Sequence, residues 1–380
     1  MRTMKNIEKV NKGVLGSMKK LKLTKVIAST LVVASVLLLN PIGASAEWEQ
    51  DNKGWWYSEG SSWATGWRVI DGSLYYFDTT GYMLDNRPND FGNEYEINSS
   101  GQFENVTIEG DWVFCKQTGK IVTYIRTDSN VVIPDKIDNI AITSIGYNAF
   151  YKNTNITNIT IPNSVKSIER LALFGCTKLT NINIPASVKS IGGYALSGCS
   201  NVTNISVDEN NTTFKSVNGV LYSKDGTKLL KYPIGKVDEN YTIPDGVTAI
   251  GDNAFSGCIN LKSITIPTAV TSIEDGAFYG CKSLSSITIP DGVTSIGVGM
   301  FYGCTNLSSV NIPNSVTNIE HSAFQNCTSL SSITIPNNTT IIKGGAFSGC
   351  KNTMFNVKSE AMKQILIKSG VNASKIIVNS

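Results

Sequence analysis

Ile289-Pro290-Asp291-Gly292-Val293-Thr294-Ser295-Ile296-Gly297-Val298-Gly299-Met300-Phe301-Tyr302-Gly303-Cys304-Thr305-Asn306-Leu307-Ser308-Ser309-Val310-Asn311-Ile312-Pro313 holds one full period of this chain. Prolines at 244, 267, 290, 313 and 336 and cysteines at 258, 281, 304, 327 and 350 each recur at intervals of 23 residues. Earlier copies carry Ala149-Phe150, Ala172-Leu173 and Ala195-Leu196 where later ones carry Ala-Phe, giving eight copies. A fixed period of 20 to 29 residues built on spaced Leu and Ile marks a solenoid of stacked coils. One copy has too few apolar side chains to offset the ordering of its own backbone, so neighbours must share their inward faces and the ends need caps.

Within a copy, Leu-x-x-Ile-x-Ile alternates inward and outward as a short strand does, and the following proline, lacking a donor, ends the pairing. The expected fold is therefore a repeat solenoid, mainly β with short helical turns and a parallel sheet. Val-x-x-Ile lines the opposite wall, and Ala-Phe-x-x-Cys forms the turn between them.

Spacing, proline, Ala-Phe and Cys together resemble the bacterial leucine-rich repeats of the cysteine-containing, 23-residue type, known from BspA-like surface proteins. The resemblance runs from about Ile133 to Lys351. It implies a surface-exposed binding protein without enzymatic activity, an implication by analogy because a fold does not fix a function.

The chain has 380 residues, 41% hydrophobic and 17% charged, enough for two or three domains. Residues 1–46 read as a secretory signal: a lysine-rich lead (Lys19, Lys20, Lys22, Lys25), an apolar run from Val26 to Leu39, and Ala44-Ser45-Ala46. The run is shorter than the roughly 20 residues of a spanning helix, so no membrane span is expected after cleavage. Without this leader, 25 basic residues face 29 acidic ones, which removes the compositional case for a nucleic-acid partner.

Residues 47–92 hold five of the six tryptophans, all between Trp48 and Trp67. Two half-similar units align at an offset of 19, Trp48 with Trp67 and Tyr57 with Tyr76, each reading as an aromatic β-hairpin. Gly54-Trp55-Trp56-Tyr57, Ala64-Thr65-Gly66-Trp67 and Leu74-Tyr75-Tyr76-Phe77 resemble the choline-binding or cell-wall-binding repeats of Gram-positive surface proteins. In that family, rings from consecutive hairpins cage a quaternary ammonium by cation–π attraction. The resemblance carries over to Trp48, Trp55, Trp67 and Tyr75. Leu74 stands where the first unit has Trp55, so at most one full cage fits; alternatively the aromatics only hold a small hairpin stack together.

Asn86 to Gly110 is polar and reads as a linker or a degenerate third unit. Residues 93–130 end in a hairpin of Trp112-Val113-Phe114-Cys115 and Ile121 to Ile125, expected to cover the first coil, since open strand edges invite aggregation. Within the solenoid, residues 131–357, five extra residues near Asp138 to Ala141 bulge from the first copy. A larger insert, about 208–243, carries Asp225-Gly226 between apolar segments, predicting a hairpin that projects from the solenoid's edge and bends its axis. After Cys350 the template lapses, with Phe355 and Val357 out of step. Residues 358–380 are expected to cap the end with a helix from Ser359 to Ser369 and a last strand at Lys375 to Val378.

Seven of the eight cysteines occupy one repeat position, where the first copy has Asn153. Interchange with Asn favours buried thiols capping loop backbone over disulfides, although neighbouring copies stand close enough to bridge. Cys115 lies outside the repeat and is the one free to be exposed. No Cys-x-x-Cys pair occurs and His321 is the only histidine, so neither a metal nor any other cofactor is expected. Glu274, Asp275, Asp291 and Glu320 are scattered over turns, which leaves a degenerate wall hydrolase as the competing reading.

What remains is surface. Thr265, Ser286, Thr288, Ser309, Asn311, Ser332 and Thr334 fall at outward strand positions. Solenoids commonly bind partners on such a sheet, so an unidentified protein or glycan is expected there, and a wall polymer, teichoic acid or peptidoglycan glycan, at residues 47–92.

Overall fold

The computed structural model describes residues 46–84 and 95–379, so the expected signal segment lies outside the described residues except for Ala46. Each copy winds once around a common core. Its Ile-x-Ile segment forms a strand, as at Ser263–Thr265, Ser286–Thr288 and Ser309–Asn311. These pair in parallel with each residue beside its counterpart 23 positions away, Ser263↔Ser286↔Ser309. The proline carbonyl then accepts from the Val amide three residues on, 3.0 Å for Pro290 and Val293, and turns the chain. The Val-x-x-Ile segment supplies the opposite wall, where Ser295–Ile296, Asn318–Ile319 and Ile341–Ile342 form a second parallel ladder.

Between the walls the coils of the second array bury equivalent side chains. Phe255, Phe278, Phe301, Phe324 and Phe347 stack with centroids 5.2 to 5.4 Å apart, close to one strand spacing with the rings slightly offset. The preceding residue is Ala or Met and fully buried, so the turn closes against the ring. Tyr232 starts this spine, 5.4 Å from Phe255, and Phe355 ends it edge-on, 4.9 Å from Phe347.

The cap expected before the first coil is present. Strands Thr107–Glu109, Trp112–Cys115 and Lys120–Tyr124 make an antiparallel meander whose last strand pairs in parallel with Ser144–Ile145. The extra residues of the first copy form a small hairpin, Lys136–Ile137 with Ile140–Ala141. Cys115 is buried, against expectation: its strand is an inner member of the meander and its flanking Phe114 is fully buried.

The insert also departs from expectation. It does not project. Phe214–Val217, Val220–Ser223 and Lys228–Lys231 form a second meander, and Lys228–Lys231 pairs in parallel with Ala249–Ile250. Val220, Leu221, Tyr222, Leu229 and Tyr232 are all buried, an apolar load that must face the core. The meander thus begins a second array as Thr107–Tyr124 begins the first. The solenoid's buried core falls into two bodies, one from Phe114 to Leu221 and one from Val220 to Ile376.

At the N-terminus, Trp48–Gln50 pairs with Trp55–Glu59, and Gly66–Ile70 with Ser73–Phe77, as the two hairpins expected. From Tyr95 on, the described part of the polar stretch forms a third unit, because Asn98 repeats the turn of Asp78. Asp78 receives the Thr80 amide and Asn98 the Ser100 amide, and Gly81 and Gly101 donate back to the Asp78 and Asn98 carbonyls. Tyr95, Phe103 and Leu74 pack with Val113 and Val122 of the cap, joining hairpins and solenoid through one core. At the other end, Met354–Val357 continues the ladder with one residue fewer, Ile333↔Phe355, and buries Phe355 and Val357. The helix Glu360–Lys368, with Ser359 accepting from the Met362 amide, and strand Ile376–Val378 close the stack.

Phe278 is fully buried between Phe255 and Phe301. Phe278→Ala is expected to cost about 3–5 kcal/mol in urea unfolding, through a cavity shared by adjoining coils; an unchanged midpoint would contradict this placement of the ring.

Candidate binding surfaces

The hairpin module sorts its aromatics into equivalent clusters. Trp48 meets Trp55 at 6.4 Å, Tyr57 at 5.2 Å, Tyr75 at 4.9 Å and Phe77 at 5.8 Å. Trp67 stands one unit further on and meets Tyr76 at 5.0 Å, Phe103 at 4.8 Å and Tyr95 at 6.1 Å. Trp48, Trp55 and Tyr75 are therefore brought together, from two consecutive hairpins, while Trp67 serves the next cluster, where Leu74 replaces the second tryptophan. Trp48 and Trp55 are half-buried; the Tyr75 hydroxyl is buried and receives the Gln102 amide at 3.0 Å.

On the solenoid, the two outward files of the sheet differ from the residues beside them. Ser285 and Ser308 donate to the carbonyls of Lys262 and Ser285 one coil back, at 3.1 and 3.0 Å, and Thr180 and Thr157 do likewise in the first array. These hydroxyls fasten coil to coil. Thr265, Ser286, Thr288, Ser309, Asn311, Ser332 and Thr334 are exposed, and among the described residues none of their side chains has a hydrogen-bond partner. The parallel register aligns them in rows one strand spacing apart.

The turn edge is held by sulfur. Six repeat thiols donate to a carbonyl 26 residues back, among them Cys281 to Phe255, Cys304 to Phe278 and Cys327 to Phe301, each at 3.1 Å. Asn153 does the related job within its own coil by accepting the amides of Asn155 and Ile156. All eight cysteines are free and buried. Burial pushes the repeat thiols up, Cys199 and Cys350 to about 11 and Cys258 and Cys304 to about 12, which keeps them protonated and unreactive.

Two of the scattered acids, Glu274 and Asp275, are engaged structurally. Glu274 pairs with Lys228 at 2.5 Å, and Asp275 accepts the Val298 amide at 2.8 Å. His321 is exposed, with a ring nitrogen 3.0 Å from the Gly344 carbonyl. Among the described residues no helix is long and apolar enough to cross a membrane.

The model of the BspA type leucine rich repeat region matches residues 124–218 and 238–354, in 6 copies. The chain belongs to this family. The gap in the match falls on the second meander, where the BspA-type template gives way to antiparallel strands. A leucine rich cell surface protein from Faecalibacterium prausnitzii is similar at 32% identity and a TM-score of 0.57, over 62% of this chain and 62% of that one. A leucine-rich repeat protein from Bacteroides ovatus shares 26% identity over 72% of this chain and 66% of its own, with a TM-score of 0.43. The pneumococcal vaccine antigen PcpA shares 21% identity over 76% of this chain and 99% of its own, with a TM-score of 0.45. No curated protein matches.

For this BspA-type array the thiol assignment gives a direct expectation. A colourless aromatic disulfide reagent at pH 8 should label none of the eight cysteines in the native protein and all eight after guanidinium is added without reductant. Fewer than eight in the denatured protein would reveal bridges.

Proposed function

We propose that this BspA-type protein is a secreted, surface-retained binding protein without catalytic activity, held at a Gram-positive-type cell wall by its aromatic hairpins and displaying the solenoid sheet to a protein or glycan partner. The observation that carries the reading is the sheet face: seven exposed Ser, Thr and Asn side chains in register with no hydrogen-bond partner among the described residues, beside hydroxyls that are engaged in fastening coils. Uncharged donors and acceptors in rows suit broad polar recognition. The Trp48, Trp55 and Tyr75 cluster supports wall attachment, since the half-buried Trp48 and Trp55 rings, packed beside buried Tyr75 of the next hairpin, offer cation–π contacts of about 0.5–2 kcal/mol each to a choline-like group.

Sedimentation with isolated Gram-positive cell walls tests the attachment. The protein should pellet with the walls and release no soluble sugar or peptide, and Trp48→Ala should reduce the pelleted fraction several-fold. Turnover of the wall would favour a hydrolase, and retention in excess choline would rule out a choline-dependent site. A double variant, Ser286→Glu with Ser309→Glu, should still pellet but lose the partners found on an array of extracellular proteins and glycans.

A further inference from the structure

The second meander interrupts the stacking of coils and leaves a seam. There the turn Ile191 to Ser197 of the first array faces Leu230, Lys231, Asp252 and Glu274 of the second across a cleft of about 320 Å³. Apolar Phe214 and Leu221 form part of its lining. The size sits at the lower end of small-ligand sites, which run from roughly 300 to 1,000 Å³.

Three residues lining this seam, Tyr194, Lys231 and Asp252, bear on what it could hold. Tyr194 is 41% exposed and held at φ 59°, a left-handed conformation that an aromatic residue rarely adopts. The same position elsewhere is Asn148, Asn253, Gly276, Gly299, Ser322 or Gly345, with Leu171 the other large residue. Lys231 is 6% exposed; its Nζ donates to the Asn253 carbonyl at 2.7 Å and has no carboxylate partner among the described residues. Asp252 makes no ion pair among them either; its carboxylate bonds to Asn253 and feels Lys228, itself paired with Glu274, only at longer range. Burial pushes the Lys231 amine down and the Asp252 carboxyl up, so the site disfavours charge of either sign.

We propose that the seam cleft binds a neutral saccharide of one or two pyranose rings, with a sugar face on Tyr194 and hydroxyls between the Lys231 amine and the Asp252 carboxylate. A hydroxyl both donates and accepts, so it satisfies the two groups together and brings no charge. An exposed ring offers a C–H-rich sugar face apolar contact without closing the site. Further along the second array Tyr279, 43% exposed, stacks on Tyr302 at 4.7 Å with an interplanar angle of 1°, extending the aromatic surface available to a longer glycan.

The test is calorimetric titration and saturation-transfer NMR of the full chain with glucose, galactose, N-acetylglucosamine and their β-linked disaccharides, with glycine and leucine as zwitterionic probes. At least one saccharide should bind saturably. Tyr194→Asn, which installs the residue other coils carry, and Asp252→Asn should each weaken it tenfold or more with the thermal midpoint retained. Ser286→Glu with Ser309→Glu should leave it unchanged, so this site and the sheet face fail or stand separately. No saturable saccharide, unaltered affinity in Tyr194→Asn, or a preference for the amino acids would overturn the proposal.

Discussion

Within each array most coils are bonded to their neighbours by backbone hydrogen bonds in a register of 23 residues, and that register governs the molecule. It sets Ser286 beside Ser309, Phe278 beside Phe301 and Cys281 one coil from Cys304. A residue type placed once must therefore be tolerated against a copy of itself. Flat rings stack, small thiols reach the neighbouring carbonyl, and hydroxyls share a row; a column of like charges would repel. The chain's 17% charged content and its Ser, Thr and Asn faces follow from this constraint.

Much of this was legible because periodicity is a long-range signal repeated many times. Pro290 and Pro313, or Cys304 and Cys327, predict the coil without reference to any partner, and Ser359 with Gly370 predicts the closing helix through local backbone chemistry. The second meander was harder. Asp225-Gly226 marked one hairpin, but Asn218-Gly219, both at positive φ, made another that the same turn chemistry could have announced. Its role as a new start was hidden because Val220-Leu221-Tyr222-Ser223 shares only polarity pattern, and no residue in register, with Trp112-Val113-Phe114-Cys115. The correspondence lies in pairing: Lys120 beside Ser144 and Lys228 beside Ala249.

Candidate sites were less legible for the same reason that the fold was clear. Repeats tell which residues are equivalent, and equivalent residues do not meet. Trp48 and Trp67 align at an offset of 19, so each belongs to its own cluster, and the four aromatics carried over together divide as three and one. Conversely, the seam brings together Tyr194, Lys231 and Asp252 from non-equivalent segments, and no motif spans them. Binding chemistry in a solenoid is read best along its rows and where the rows break.

The central claim is that the coils are interchangeable layers stabilised by their neighbours. Deleting Asp291 to Pro313, which joins Pro290 to Asn314 in the same register, tests it most directly by circular dichroism during urea unfolding. The account predicts a folded, cooperatively unfolding protein with a lower midpoint, since one set of neighbour interfaces is lost. A deletion variant that cannot fold, or one as stable as the parent, would contradict it.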